Sequence, residues 1–201
     1  MIRDGVAFAR AARDVRHALE QRHRSAHVLR VARMAEALAR AHGVDPHRAR
    51  VAGLLHDLAR LYDDARLIAE CERRGMPIDD FERANPIVLH ARLGAELARE
   101  RFGIDDEGVL SAIRKHTVAA AAMSPLDEVV YLADGLEPGR GFPQRAELAA
   151  LAFRDRRAAM RATLASSMAY LRARRLAVAP QTLAAAGTYE VSLPMEEPTT
   201  A

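Results

Sequence analysis

The stretch Val51-Ala52-Gly53-Leu54-Leu55-His56-Asp57-Leu58-Ala59-Arg60 constrains this chain more than any other. It reads as a helix that is apolar on every side yet carries a His-Asp pair in its middle. Such a segment belongs inside the molecule, and an ionised carboxylate there is costly unless something compensates it. Two compensations fit these residues. In one, a metal ion takes both the carboxylate and the imidazole. In the other, His56 caps a neighbouring carbonyl and Asp57 pairs with an arginine.

The rest of the chain reads as all-α. Ala, Leu and Arg are abundant and aromatic residues make up 4 %, which favours helix over sheet. Val6 to Gln21 reads as a first amphipathic helix. Ser25 opens a second, which runs to Ala41 and stops before Gly43. Asp45-Pro46 couples an N-cap acid to a proline at the first helical position and opens a third helix that reaches about Tyr62. A fourth helix runs from Asp63 or Asp64 to Gly75, and Met76 to Pro86 is expected to be a loop. The fifth spans Ile87 to Phe102. The sixth starts at Asp105 or Asp106 and ends at His116-Thr117. Ser124-Pro125-Leu126-Asp127 forms a capping box with Asp in place of Glu, and the seventh helix follows to Asp134. After the loop Glu137 to Pro143 comes an Ala-rich helical pair to about Leu176, and beyond Gly187 a polar tail. The expected organisation is an N-terminal helix over 1–21, a core over 22–145, C-terminal helices packed on it over 146–186, and a flexible tail over 187–201.

Composition narrows the function. Thirty Lys and Arg against 27 Asp and Glu leave a net charge of only +3 in 201 residues. The arginines lie beside acids along the helices, a pattern of solvated faces and not a nucleic-acid stripe. A single cysteine, Cys71, excludes an intramolecular disulfide and suits a reducing cytoplasm. Met1 to Arg13 carries charges every few residues, unlike a signal peptide. No run of about 18 apolar residues is present to span a membrane.

The histidines sort into two groups. His17, His23, His42 and His47 have mostly polar neighbours. His27, His56, His90 and His116 sit in or near apolar helical segments, as do Asp57 and Asp134. A lone histidine on an apolar face is usually a satisfied core residue. Four on four helices, with two acids, form a set that a helical bundle can bring to one point.

In order, these residues read His, His-Asp, His, His, Asp. Here the chain resembles the HD-domain metal-dependent phosphohydrolases, most closely the YqeK-type branch of symmetrical bis(5′-nucleosyl)-tetraphosphatases. The likeness is carried by Ala26-His27-Val28-Leu29-Arg30-Val31, Gly53-Leu54-Leu55-His56-Asp57, Leu89-His90-Ala91-Arg92-Leu93-Gly94-Ala95, Ala112-Ile113-Arg114-Lys115-His116-Thr117 and Ala133-Asp134-Gly135-Leu136-Glu137-Pro138-Gly139-Arg140. The resemblance implies an HD-type helical bundle with a binuclear metal site. His27, His56, Asp57 and Asp134 would hold one metal. His90 and His116 would hold a second, with Asp57 bridging. It also implies iron, although a donor set of imidazole and carboxylate suits manganese or zinc as well. The implied substrate is diadenosine tetraphosphate, attacked at an inner phosphorus to give two nucleoside diphosphates. Asp57 and Arg60 would be catalytic, Arg60 standing where the family usually has Lys. Arg60, Lys115, Thr117 and Arg140 would contact substrate, though Thr117 equally suits a cap on its own helix end.

The chain departs from the family pattern in three places. Val118-Ala119 replaces Thr-Gly, Gly135-Leu136 replaces Tyr-Ile, and Ala91-Arg92 replaces Gly-Pro. These changes leave room for an HD hydrolase of another nucleotide, or for a non-catalytic nucleotide-sensing module whose mark would be a lost ligand. The expected setting is cytoplasmic, without nucleic acid or membrane partners, and the Ala-rich C-terminal helices leave room for a homodimer.

Overall fold

A computed structural model describes residues 11–15 and 22–191. Over residues 22–191 ten helices follow one another: α1 (Arg22–Ala41), α2 (Pro46–Leu55), α3 (Asp64–Arg73), α4 (Asp80–Ala84), α5 (Leu89–Phe102), α6 (Glu107–Lys115), α7 (Pro125–Leu136), α8 (Arg145–Arg154), α9 (Arg156–Ala173) and α10 (Pro180–Thr188). A 3₁₀ turn, Pro86–Val88, leads into α5. No strand occurs among the described residues. Residues 11–15 are helical, whereas the rest of the expected first helix and residues 192–201 of the expected tail lie outside the described residues.

The helix starts obey their caps. Asp45 accepts from the amides of His47 and Arg48, with Pro46 in the first helical turn. At α7 the Ser124 side chain accepts from the Asp127 amide while the Asp127 carboxylate reaches back to the Ser124 amide. This is the expected capping box, closed by Asp in place of Glu. Helix α1 starts before Ser25, which is buried inside it.

The core is lined mainly by Ala, Leu and Val. Small side chains let backbones approach closely, and at Gly53 they touch. A Cβ there would lie 2.9 Å from Ala32 Cα. Helices α1 and α2 therefore meet near the positions of His27 and His56. On the other side, a Cβ at Gly94 of α5 would lie 3.2 Å from the His56 carbonyl oxygen, so α5 presses against the His56-Asp57 turn. Helices α6 and α7 complete the ring around this turn.

Three expectations need correction. The third helix does not reach Tyr62. Regular helix ends at Leu55, and the chain continues in tighter turns, with Arg60 N–H donating to Asp57 O at 3.0 Å and Tyr62 N–H to Ala59 O at 3.1 Å. The cause is local: His56 Nδ1 lies 2.8 Å from Gly53 O, the carbonyl to which the next α-helical amide would have donated. The expected loop from Met76 to Pro86 contains α4, started by a capping box between Asp79 and Glu82. Beyond Leu176 the chain forms α10, with proline in its first turn.

The C-terminal helices are tied to the bundle by polar contacts that are buried or partly so. Glu128 on α7 accepts from Arg156 and, at 2.5 Å, from the Tyr189 hydroxyl. Thr182 on α10 donates to Val118 O at 2.8 Å. His42 Nε2 donates to Ala152 O at 2.6 Å.

Candidate metal centre

The folding of four helices around the His56-Asp57 turn brings six distant residues together. His27 comes from the second turn of α1. His56 and His116 are the C-cap residues of α2 and α6. His90 lies in the first turn of α5 and Asp134 in the last turn of α7. The rings form a chain of edge contacts, with centroids 5.3 Å apart for His27 and His56, 4.7 Å for His56 and His116, and 5.1 Å for His90 and His116.

Asp57 stands between two pairs of imidazoles. Its Oδ2 faces His27 Nε2 at 3.7 Å and His56 Nε2 at 3.6 Å. Its Oδ1 faces His90 Nε2 at 3.5 Å and His116 Nε2 at 3.9 Å. Asp134 Oδ1 lies 3.1 Å from His27 Nε2 and 3.7 Å from His56 Nε2. All six side chains are buried or nearly so.

The nitrogens facing away are engaged. The Nδ1 atoms of His56, His90 and His116 lie 2.8, 2.5 and 2.7 Å from the carbonyls of Gly53, Ile87 and Ile113, each three residues back. His27 Nδ1 instead donates to Glu137 Oε1 at 3.0 Å. With Nδ1 as the donor, every Nε2 presents a lone pair to the centre. His27 Nε2 and His56 Nε2 are buried without a hydrogen-bond partner. An orphaned imidazole nitrogen facing a carboxylate oxygen is what a bound cation would satisfy. His27, His56 and Asp134 form one group able to hold an ion, and His56, Asp57 and His116 another. The residues thus fit a metal centre of nitrogen and oxygen donors.

Charge in the cluster is tuned the same way. Burial, together with each other or with neighbouring His56, pushes His90 and His116 down to about 4, so both are neutral at pH 7. Burial alone would raise the Asp57 carboxyl, but the surrounding histidines hold it below its usual range. Asp134 is likewise held low against its burial by His27, His56 and Arg140.

The centre forms the floor of a cavity of about 270 Å³ whose walls carry Arg24, Arg60, Thr117 and Arg140, with Ile87 at its rim. Arg60 is half-buried, and its guanidinium has no hydrogen-bond partner among the described residues. Arg140 holds Asp134 at both its carbonyl (2.9 Å) and its carboxylate (2.5 Å). The Thr117 hydroxyl lies 3.1 Å from His90 Nε2 and 3.0 Å from His116 Nε2. Lys115 lies elsewhere: its ammonium donates to Ala122 O and to the buried Asp127 carboxylate, both at 2.8 Å. It fastens the loop after His116 and does not line the cavity. Arg24, by contrast, escaped the sequence reading, and its Nη1 donates to Asp57 Oδ2 at 3.1 Å. It lies one helical turn before His27, a spacing that puts both on one face. The second compensation considered for the His56-Asp57 pair is therefore present, and the capping nitrogen and the arginine contact leave His56 Nε2 and Asp57 Oδ1 available to the first.

The departures from the family pattern sit away from this cavity. A side chain at Gly135 would meet Thr163 of α9, and Leu136 is fully buried. Ala91 is buried, and Arg92 pairs with Glu82. Val118 offers its carbonyl to Thr182, and buried Ala119 takes a left-handed φ of 60°.

A family model described as the HD domain matches residues 24–139. The symmetrical bis(5′-nucleosyl)-tetraphosphatase of Bacillus subtilis is 34 % identical over 160 residues, which are 80 % of this chain and 86 % of that one. Its counterpart in Halalkalibacterium halodurans is 34 % identical over 162 residues, covering 81 % and 86 %. A crystal structure from Clostridium acetobutylicum, described as a predicted HD superfamily hydrolase involved in NAD metabolism, superposes with a TM-score of 0.87 at 31 % identity over 91 % of this chain and 96 % of that one. The matched span encloses every residue of the cluster from Arg24 to Glu137, and the chain belongs to the HD-domain family.

Proposed function

We propose that this protein is a metal-dependent hydrolase that cuts diadenosine tetraphosphate symmetrically into two ADP. The observation that carries the reading is Asp57, with each carboxylate oxygen facing a different pair of imidazoles at the foot of an arginine-walled cavity. Similarity to enzymes of that name over most of both chains supports it. The departures from the family pattern fall on packing positions, which favours this substrate over another nucleotide.

His27, His56, Asp57 and Asp134 would hold one metal, and Asp57, His90 and His116 the other. The donor set suits iron, manganese or zinc, and we favour iron. When bound, the pair supplies Lewis-acid activation of water and of the phosphoryl oxygens. The chain's own residues do the rest. Arg24, Arg60 and Arg140 would offset the roughly four charges of the polyphosphate, and with His90 and His116 holding a metal the hydroxyl of Thr117 would be free to donate to a phosphoryl oxygen. A cavity of about 270 Å³ suits the phosphates better than two nucleosides, which would lie across the rim near Ile87. The oxygen of water joins an inner phosphorus, the bond to the central bridging oxygen breaks, and that oxygen leaves on the second ADP. No described helix is long and apolar enough to cross a membrane, and we read the setting as cytoplasmic.

Purified protein loaded with iron or manganese is expected to give ADP alone from diadenosine tetraphosphate, with one ¹⁸O from labelled water per pair of ADP. ATP plus AMP would overturn symmetrical cleavage. Tight binding without turnover would favour a sensor.

A further inference from the structure

We infer that Glu137 is the positioning residue for His27, and that it serves the His27–Asp134 side of the metal centre without serving the His90–His116 side. The inference rests on the binuclear centre proposed above.

The four imidazoles are oriented by two different devices. His56 and His116 stand at helix C-termini, where the last carbonyls lack intrahelical donors, and each takes the carbonyl three residues back. His90 does the same at the junction of the 3₁₀ turn and α5. His27 cannot. It lies inside regular helix, where the backbone carbonyls are taken by the i→i−4 ladder. It needs an acceptor from elsewhere in the chain, and Glu137 arrives from 110 residues away.

Glu137 is itself fixed from several directions. It is the first residue past α7, where the backbone turns out of the helix (φ −55°, ψ 150°). Its carboxylate is 2 % exposed. Oε1 accepts from His27 Nδ1 at 3.0 Å and from Arg30 Nη2 at 3.1 Å. Oε2 accepts from Arg30 Nε and from the Gly139 amide, each at 2.5 Å. Glycine at 139 is required by this arrangement, because a Cβ would lie 2.3 Å from Arg30 Nη2. Arg30 lies one turn after His27 on α1, so the helix carries both the imidazole and the cation that steadies its acceptor. Held by Arg30 and the Gly139 amide, the carboxylate makes His27 a more basic donor than a backbone carbonyl would.

The test reads metal binding and not turnover. Chelator-treated protein is titrated with Mn²⁺, with calorimetry for stoichiometry and affinity and electron paramagnetic resonance to separate a coupled pair from isolated ions. Wild type is expected to bind two ions with a coupled signal. Glu137→Ala is expected to keep one at wild-type affinity, to weaken the other about 10- to 100-fold, and to show an isolated-ion signal at limiting Mn²⁺. Its metal-free melting temperature should stay close to wild type. Glu137→Gln, whose amide oxygen can still accept from Nδ1, should recover much of the lost affinity. Two ions at wild-type affinity in Glu137→Ala would overturn the inference, as would equal weakening of both sites. Should Glu137→Ala fail to fold, Glu137→Gln decides alone: selective weakening of one site supports the inference and unchanged affinity overturns it. If wild type binds two ions but leaves diadenosine tetraphosphate intact, the substrate reading fails and this inference stands. If wild type binds none, both fail.

Discussion

The two sides of the metal centre are built from the same residue types by unlike means. On the His90–His116 side, short contacts to carbonyls three residues back fix both rings. On the His27–Asp134 side, orientation depends on other side chains: Glu137, from far along the chain, with Arg30 behind His27, and Arg140 from the next loop on Asp134. The first side is as firm as its helix ends. The second depends on the loop after α7 docking onto α1.

Asp57→Ala should do the most damage, because it removes the carboxylate that faces both sides. Loss of both ions and an activity drop on the order of 10³-fold or more are expected from metal analysis and kinetics. Retention of two ions would break the picture of Asp57 as their shared neighbour. Next come His27→Ala and His116→Ala. Each should lose one ion, and activity by roughly 10²-fold or more. Addition of Glu137→Ala should cost His116→Ala its remaining ion but change little in His27→Ala. Equal effects on the two backgrounds would mean the sides are not independent.

Acid should separate the two sides in metal-free protein. His90 and His116 are held near 4 when folded, against 6.5 for a free histidine. Between those values the unfolded chain binds more protons, so stability falls as pH drops from 6.5 to 4. His27 has the opposite sign. Burial would lower it, but Asp134 and Glu137 raise it, so its contribution is full below 6.5 and fades as pH rises through its folded value. Two groups outweigh one, and the carboxylates held low by the cluster add to the acid loss. The melting temperature should therefore decline from about pH 6.5 downward, and a flat profile would remove the buried neutral pair from the account.

Much of this was legible in the sequence, and the unread parts share a cause. Asp45-Pro46 and Ser124 to Asp127 announce their helices because a cap acts within three or four residues. The four candidate histidines could be sorted from the other four because apolar neighbours along the chain mark burial. The partners of those ligands could not. Arg24 meets Asp57 across 33 positions and Arg30 meets Glu137 across 107, and no periodicity reports such pairs. Lys115 misled for the same reason, since its proximity to His116 in sequence conceals its attachment to Asp127. Helix α4 is a different case. Asp79 and Glu82 have capping-box spacing, but the prolines on either side suggested a loop. The early end of α2 needed the ring of His56 in place, because a side chain and not a breaker residue stops that helix.

Two smaller effects bound the comparison. His42→Ala, outside both sides, should cost about 1 kcal/mol in denaturant unfolding through its contact to Ala152 O, and leave both ions bound. Loss of an ion would upset the sorting of the histidines. Ala119→Gly should change stability least. Relief of a left-handed alanine, worth roughly 1–2 kcal/mol, is offset by about 0.8 kcal/mol for a buried methyl and 0.5–1 kcal/mol of chain entropy. A net change within about 0.5 kcal/mol is expected, with His116 keeping its ion because its ring is tied to Ile113 O and not to the loop.

The meeting of Gly53 with Ala32 has a further consequence. Cation preference is a matter of ångström fractions: zinc and magnesium favour bonds near 2.0–2.1 Å, whereas calcium needs about 2.3–2.6 Å. How far His27 stands from His56 is governed by how closely two backbones press together, and a hydrogen atom where other residues carry carbon permits that closeness. Ionic size selection would thereby rest with a residue that has no donor atom to offer, one that a survey of ligating side chains would pass over.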